Sequence, residues 1–227
     1  NGAKIRTRAE VTDLIFSNGK VIGVEIGKEK LFADRVVLTQ GVWTPFLLKK
    51  IGVDLPIIPR KGQILVSERM KPFIHCNVLG ASYITNKLQA NSAEAGNQHN
   101  VGLSLGQTKS GTLLIGGSRE FVGYDVRTDP VLTKEIAKTA VRVFPILKDA
   151  SIIRAFAGLR PYTPDGLPII GELETFENLF IAAGHEGDGI ALAPITGKLV
   201  SAEICGQTEE LDISMFTPNR FFTHLVV

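Results

Sequence analysis

Cysteine is scarce in this 227-residue chain. Cys76 and Cys205 form no CxxC and offer no metal-ligand spacing, so the expectation is reduced, buried thiols in a cytoplasmic protein. Charge of one sign is lacking too. The 25 Lys and Arg nearly balance the 23 Asp and Glu, and a net charge of +2 gives no basis for a nucleic-acid or membrane-surface partner. No apolar run approaches the roughly 18 residues of a spanning helix, and no secretory signal opens the chain. HExxH, GxSxG and GxxxxGK[ST] are all missing, and His75, His99, His185 and His224 form no partner cluster. That argues against a zinc hydrolase, a nucleophile-elbow hydrolase and a P-loop enzyme. There are no internal repeats or low-complexity tracts. The start also lacks a glycine-rich fingerprint, and the chain opens on Asn1-Gly2 in mid-pattern. It is expected to be a carboxyl-terminal fragment of a longer protein.

What is present is 44% hydrophobic and 21% charged, an ordinary globular composition, with length enough for one large domain or two small ones. Ile5, Thr7, Ala9 and Val11 alternate with polar partners and predict a strand. Ser17-Asn18-Gly19-Lys20 predicts a hairpin turn, because Asn-Gly tolerates positive φ. Val21–Ile26 and Leu31–Thr39 complete a predicted three-stranded meander. The apolar end of the third piece, Val36-Val37-Leu38, suits a strand covered on both faces of a parallel sheet. It runs into Gln40-Gly41, where backbone can approach a ligand. Thr44–Ile51 reads as a short helix, and Pro56, Pro59 and Gly62 mark a crossing to a new region. An antiparallel sheet is expected from Gln63 to Arg119, with a polar, mobile loop at 90–100. Thr133–Phe144 reads as an amphipathic helix and Ser151–Ala157 as a strand. Asn178–Ala183 is another strand, followed by a helix from about Ile190 to Cys205. Leu192, Ile195, Leu199 and Ile204 fall on one predicted face of that helix, and Gly206 stops it.

Two features could carry chemistry. Gly184-His185-Glu186-Gly187-Asp188-Gly189 lies between an apolar strand and a helix. Glycines there would let backbone N–H groups point at a bound group, and a helix start adds roughly half a positive charge. A phosphate or a carbonyl gaining negative charge would fit; a strand-to-helix turn without a ligand accounts for the spacing equally well. Arg160 is held extended by Pro161, with a turn at Pro164-Asp165-Gly166 just after it. It could grip a carboxylate with two parallel hydrogen bonds, although residue type alone favours an ion pair. Lys61 and Gln63, beside Gly62, could face a site or be structural. His185 could be a general base, with a loop-fixing hydrogen bond as the alternative.

Three segments resemble a known family. Gly158-Leu-Arg-Pro, Pro164-Asp-Gly-Leu-Pro-Ile-Ile-Gly and Ala183-Gly-His-Glu-Gly-Asp-Gly-Ile-Ala-Leu-Ala-Pro-Ile-Thr-Gly resemble the carboxyl-terminal signature of FAD-dependent amino-acid oxidoreductases, the family of glycine oxidase, D-amino acid oxidase and sarcosine oxidase. The HEGDG form and Gly116-Gly-Ser-Arg-Glu look closer to its bacterial heteromeric branch, with opine oxidase and hydrogen cyanide synthase. The resemblance is specific across Arg154 to Lys198, looser across Val11 to Trp43 and general in between.

It implies an α/β to α+β fold, part of a Rossmann-type FAD-binding domain plus an antiparallel-sheet substrate domain. The implied division is a FAD-domain portion at 1–45, a substrate domain at 46–157 and a return to the FAD domain at 158–227. By position, Arg160 matches the arginine that binds substrate carboxylate. Gly184, His185, Glu186, Gly187, Asp188, Gly189, Ile190 and Ala191 match the loop around the flavin, and Val11 and Gly41 match further FAD contacts. Glycine oxidase has an arginine where this chain has Gly187, so contacts on that side need not transfer. The implied reaction is oxidation of the C–N bond of a small amino acid or secondary amine by hydride transfer to flavin N5. No protein base is needed. Electrons would pass to oxygen, a quinone or a partner subunit. The implied location is cytoplasmic, with peripheral association at the inner membrane as the alternative. The other functional reading is a non-catalytic binding or assembly subunit with the same fold.

Overall fold

A computed structural model describes residues 2–81, 83–84, 100–207 and 211–222. The chain divides into two compact units, one made of Asn1–Ile57 with Pro161–Val227, the other of Ile58–Arg160.

Among the described residues, the first unit holds two sheets. Asn18 and Gly19 both take positive φ, and this two-residue turn pairs Ser17 with Lys20. The register then sets β1 (Asp13–Ser17) against β2 (Lys20–Ile26), which also pairs antiparallel with β3 (Glu29–Phe32). The meander is therefore three-stranded, but its first strand is not the alternating segment at Ile5–Val11. With the turn at 18–19, β2 runs out of partners before it reaches residue 11, and Ile5 is 90% exposed. The expected strand Leu31–Thr39 is also two strands. A bend at Ala33–Arg35 ends β3, and β4 (Val36–Leu38) belongs to another sheet. There β4 runs parallel to β11 (Leu179–Ala183), which pairs antiparallel with β10 (Ile169–Glu172). The near-continuous apolar content of β4 and β11 fits their burial: Val36, Leu38, Leu179 and Ile181 join Leu14, Val21, Leu47, Leu48 and Ile169 in one core. Each such aliphatic side chain contributes about 1.5–3 kcal/mol.

Helix α1 (Thr44–Lys49) follows a 3₁₀ turn at Gly41–Trp43 and puts Leu47 and Leu48 into this core. Helix α3 (Gly189–Ile204) packs on β10 and β11. It ends in a Schellman arrangement, with Gly206 at positive φ and the Gln207 amide donating to the Ala202 carbonyl at 2.8 Å. Its buried face is not the expected one. Thr196, Leu199, Val200 and Ala202 are buried, whereas Leu192 and Ile195 are about two-fifths exposed. Two polar anchors set the rotation: Thr196 bonds His185, and the Glu203 carboxylate accepts from the Glu172 amide. Ile195 then lies about a quarter-turn off the sheet side.

The second unit is a five-stranded sheet, in spatial order β6 (Val78–Leu79), β7 (Asn100–Gln107), β8 (Thr112–Arg119), β5 (Ile58–Arg69) and β9 (Ile152–Tyr162). The pairs β6–β7, β7–β8 and β5–β8 are antiparallel. Helix α2 (Pro130–Val143) starts a turn earlier than expected, because Asp129 accepts the Val131 amide at 2.7 Å and Pro130 suits a first helical position. It packs Ile136 and Ala140 against Leu65, Leu103, Leu105, Leu113 and Ile115. Of the polar stretch expected as a loop at 90–100, only Asn100 is described, and it opens β7. The two cysteines are free but exposed rather than buried: Cys76 precedes the edge strand β6 and Cys205 caps α3.

Candidate functional site

In the first unit the parallel pair β4–β11 organises the candidate residues. Leu38 and Ile181 share a rung, so Gly41 and Gly184 lie the same three residues beyond it, past the carboxyl ends of neighbouring parallel strands. Ligands of open α/β sheets bind outside such ends. Both glycines take positive φ, +59° and +80°. A Cβ on Gly184 would lie 2.8 Å from Thr163 Cγ2, so the strand exit packs where no side chain fits. Pro161 links the two loops: a Cβ on Gly41 would touch its ring, and its carbonyl accepts the Glu186 amide at 3.0 Å.

The rest of the glycine loop turns tightly. Glu186 has φ +48°, its carboxylate accepts the Gly187 amide, and the Asp188 amide donates to the His185 carbonyl. Asp188 is the N-cap residue of α3 but makes no side-chain cap bond, and the first turn holds no acidic residue. The amides of Gly189, Ile190 and Ala191 therefore begin the helix without a capping carboxylate, and Ile190 is 96% exposed. Such a helix start suits a carbonyl or an anion. His185 Nε2 lies 3.0 Å from Thr196 Oγ1, which ties the loop to α3. Burial pushes the imidazole below its ordinary pKa, only partly offset by the Asp188 charge, so the ring is neutral near pH 7. Thr196 was not legible as part of this loop, since a threonine eleven residues on in an apolar helix carries no pattern. Val11 lies before β1, half-buried against the first core. The turn expected after Arg160 forms at Thr163–Gly166, where the Gly166 amide donates to the Thr163 carbonyl.

In the second unit Arg160 lies on β9 and lines a cavity of about 420 Å³ with Tyr83, Asn77, Ser104, Leu114 and Gly117. That volume is within the range of small-molecule sites. Arg160 Nη1 donates to the Ser118 carbonyl at 3.2 Å. Lys61 and Gln63 turn inward. Lys61 Nζ lies 3.1 Å from Glu120 Oε2, and Gln63 Nε2 donates to Glu120 Oε1 at 2.9 Å. Among the described residues no cluster of three or more His, Cys, Asp or Glu could hold a metal. None of the described helices is long and apolar enough to cross a membrane.

The family described as FAD dependent oxidoreductase, DAO, matches residues 1–203. The chain belongs to this FAD-dependent oxidoreductase family. Its relatives include glycine oxidase of Pseudomonas putida, 28% identical over 94% of this chain and 53% of that protein. Another is the hydrogen cyanide synthase subunit HcnC of Pseudomonas protegens, 31% identical over 98% of this chain and 49% of that protein. Among solved structures, L-proline dehydrogenase from P. horikoshii superposes with a TM-score of 0.83 at 27% identity, over 97% of this chain and 56% of the other. The chain thus spans about half the length of the curated relatives it matches. The mixed α/β fold with antiparallel sheets matches that of L-proline dehydrogenase from P. horikoshii and of glycine oxidase from Bacillus cereus, the latter with a TM-score of 0.76 at 26% identity over 92% of this chain and 54% of the other.

Proposed function

We propose that the protein acts in an FAD-dependent enzyme that oxidises the C–N bond of a small amino acid or secondary amine. Arg160 is the substrate anchor and the Gly184–Ala191 loop the cofactor contact. The unit of Asn1–Ile57 with Pro161–Val227 is the FAD-domain portion, and the unit of Ile58–Arg160 is the substrate domain. The observation that carries the reading is a fixed guanidinium lining a cavity of about 420 Å³ in a chain of this family. Arginine presents a planar fork that matches a carboxylate, and the Ser118 carbonyl restrains that fork at one nitrogen.

FAD, when bound, would supply the redox chemistry of the C–N oxidation. The residues of this chain supply position and charge. The start of α3 lacks a side-chain cap and fits an electron-rich ring carbonyl, which its amides at Gly189 and Ile190 would stabilise. Gly184 and Gly41 keep side chains away from the strand ends, and Val11 is assigned as a further cofactor contact by the family resemblance alone. A neutral His185 holds the loop through Thr196 without adding a second positive charge. Relatives named as glycine oxidase, as a hydrogen cyanide synthase subunit and as an opine oxidase subunit support a small amino-acid or amine substrate and a place beside a partner subunit.

The test is an absorbance spectrum of the full-length protein before and after anaerobic addition of glycine, sarcosine, L-proline and D-alanine. Flavin bands near 450 nm that bleach with one of them are expected. A colourless protein that FAD does not reconstitute overturns the enzyme reading and leaves an assembly subunit.

A further inference from the structure

The Arg160 guanidinium lies flat over the backbone of β5 at Gly62. A Cβ built on Gly62 would overlap its central carbon and both terminal nitrogens, and a Cβ on Gly117 of β8 would come within 3.9 Å of Nη2. Both neighbouring positions are therefore bare of side chain where the fork rests. Directly beside Gly62, the flanking residues are buried and cross-linked to Ser118 at the end of β8 and to Glu120 just beyond it. The Lys61 and Glu120 backbones exchange two hydrogen bonds, at 2.9 and 3.0 Å. Their side chains form an ion pair that is 5% and 10% exposed. Ser118 Oγ donates to Glu120 Oε1 at 2.6 Å and accepts the Gln63 amide at 3.1 Å. The Gln63 side chain donates to the same Glu120 oxygen and accepts the Asp129 amide at the start of α2. The Ser118 carbonyl, in turn, is the acceptor for Arg160 Nη1.

Hydrogen bonds thus tie the Ser118 hydroxyl to a buried ion pair, and the backbone carbonyl of the same residue holds one nitrogen of the fork. We propose that Gly62 and the Lys61–Glu120–Ser118–Gln63 group are positioning residues that hold the Arg160 guanidinium at the angle at which it takes a substrate carboxylate. The inference rests on Arg160 being the carboxylate anchor, and it adds what aims it. A buried, multiply satisfied polar group is suited to this, because each partner restrains the next and none can rotate alone. Gly62 contributes by absence: any side chain there lifts the fork off β5.

The experiment is a double-mutant cycle in the full-length, FAD-loaded protein. KM and kcat are read for whichever panel amino acid bleaches the flavin, and Kd is read for acetate as a bare carboxylate probe. Gly62→Ala is expected to raise KM and the acetate Kd about 10- to 100-fold, the loss of one well-aligned charged hydrogen bond, with a smaller change in kcat. In an Arg160→Ala background the same substitution is expected to change neither constant. Ser118→Ala, which keeps the accepting carbonyl but removes the hydroxyl bridge, runs the same cycle if Gly62→Ala fails to fold. An effect of Gly62→Ala or Ser118→Ala that persists undiminished without Arg160 overturns the positioning role. So do unchanged KM and acetate Kd in both variants. If Arg160→Ala itself leaves KM and acetate binding unchanged, the anchor reading falls and this inference with it, an outcome separable from the others.

Discussion

At the scale of single residues, the half-buried Arg160 can lose its side chain with little strain, whereas Gly184, at positive φ, cannot gain one. Arg160→Ala is expected to raise KM for carboxylate substrates by at least about tenfold, with folding intact, because Arg160 is only half-buried and its one described bond is to a carbonyl. Steady-state kinetics on the full-length enzyme decide it. Gly184 behaves oppositely. Its φ of +80° and the 2.8 Å approach of Thr163 Cγ2 leave no room for a methyl, so Gly184→Ala is expected to cost about 1–3 kcal/mol in urea unfolding. His185 adds a pH dependence. Burial holds its native pKa below the unfolded value, so the unfolded state binds the proton first as pH drops. Its contribution is therefore complete above about pH 6.5 and is lost as pH falls through the native pKa. Between about pH 7.5 and 5.5 the wild-type urea midpoint should fall more than that of His185→Gln.

At the scale of elements, short-range chemistry sets where helices and hairpins begin, and distant partners decide which strands exist. Asp129 and Pro130 start α2, and Asp129→Ala is expected to cost about 1 kcal/mol, read as a fall in Tm. The Asn18-Gly19 turn fixes β1 and β2, and it does so by excluding Ile5–Val11, whose alternation is genuine but finds no partner. The buried Lys61–Glu120 pair binds β5 to the residue that follows β8. Lys61→Met leaves Glu120 charged and uncompensated, so a loss of about 3–5 kcal/mol is expected, and Lys61→Met/Glu120→Leu should recover part of it. Denaturant curves of the single and double variants measure this.

At the scale of the molecule, each compact unit carries its own core. Leu14, Leu48, Leu179 and Ile181 belong to one, and Leu65, Leu113, Ile115 and Ile136 to the other. Native-state hydrogen exchange is expected to show two protected sets, in β4–β11 and in β5–β7–β8. Ile115→Ala should lower protection in the second set by about 2–5 kcal/mol, with less effect on the first.

Much of this was legible in the chain itself. The Asn-Gly hairpin, the buried parallel strand at Val36–Leu38, the glycine exit at 184 and the helix stop at Gly206 follow from local backbone chemistry, which a few adjacent residues determine. The family signature from Arg154 to Lys198 is equally local. Tertiary structure alone decided the rest. It split Leu31–Thr39 between two sheets, turned α3 so that Thr196 rather than Ile195 faces inward, and exposed both cysteines. It also brought Lys61, Gly62 and Gln63 against Ser118, Glu120 and Arg160. Those groups lie far apart in sequence, and nothing in their spacing encodes the pairing of β5 with β8. That pairing is set by burying two apolar strands against α2, and the polar residues follow wherever the register carries them.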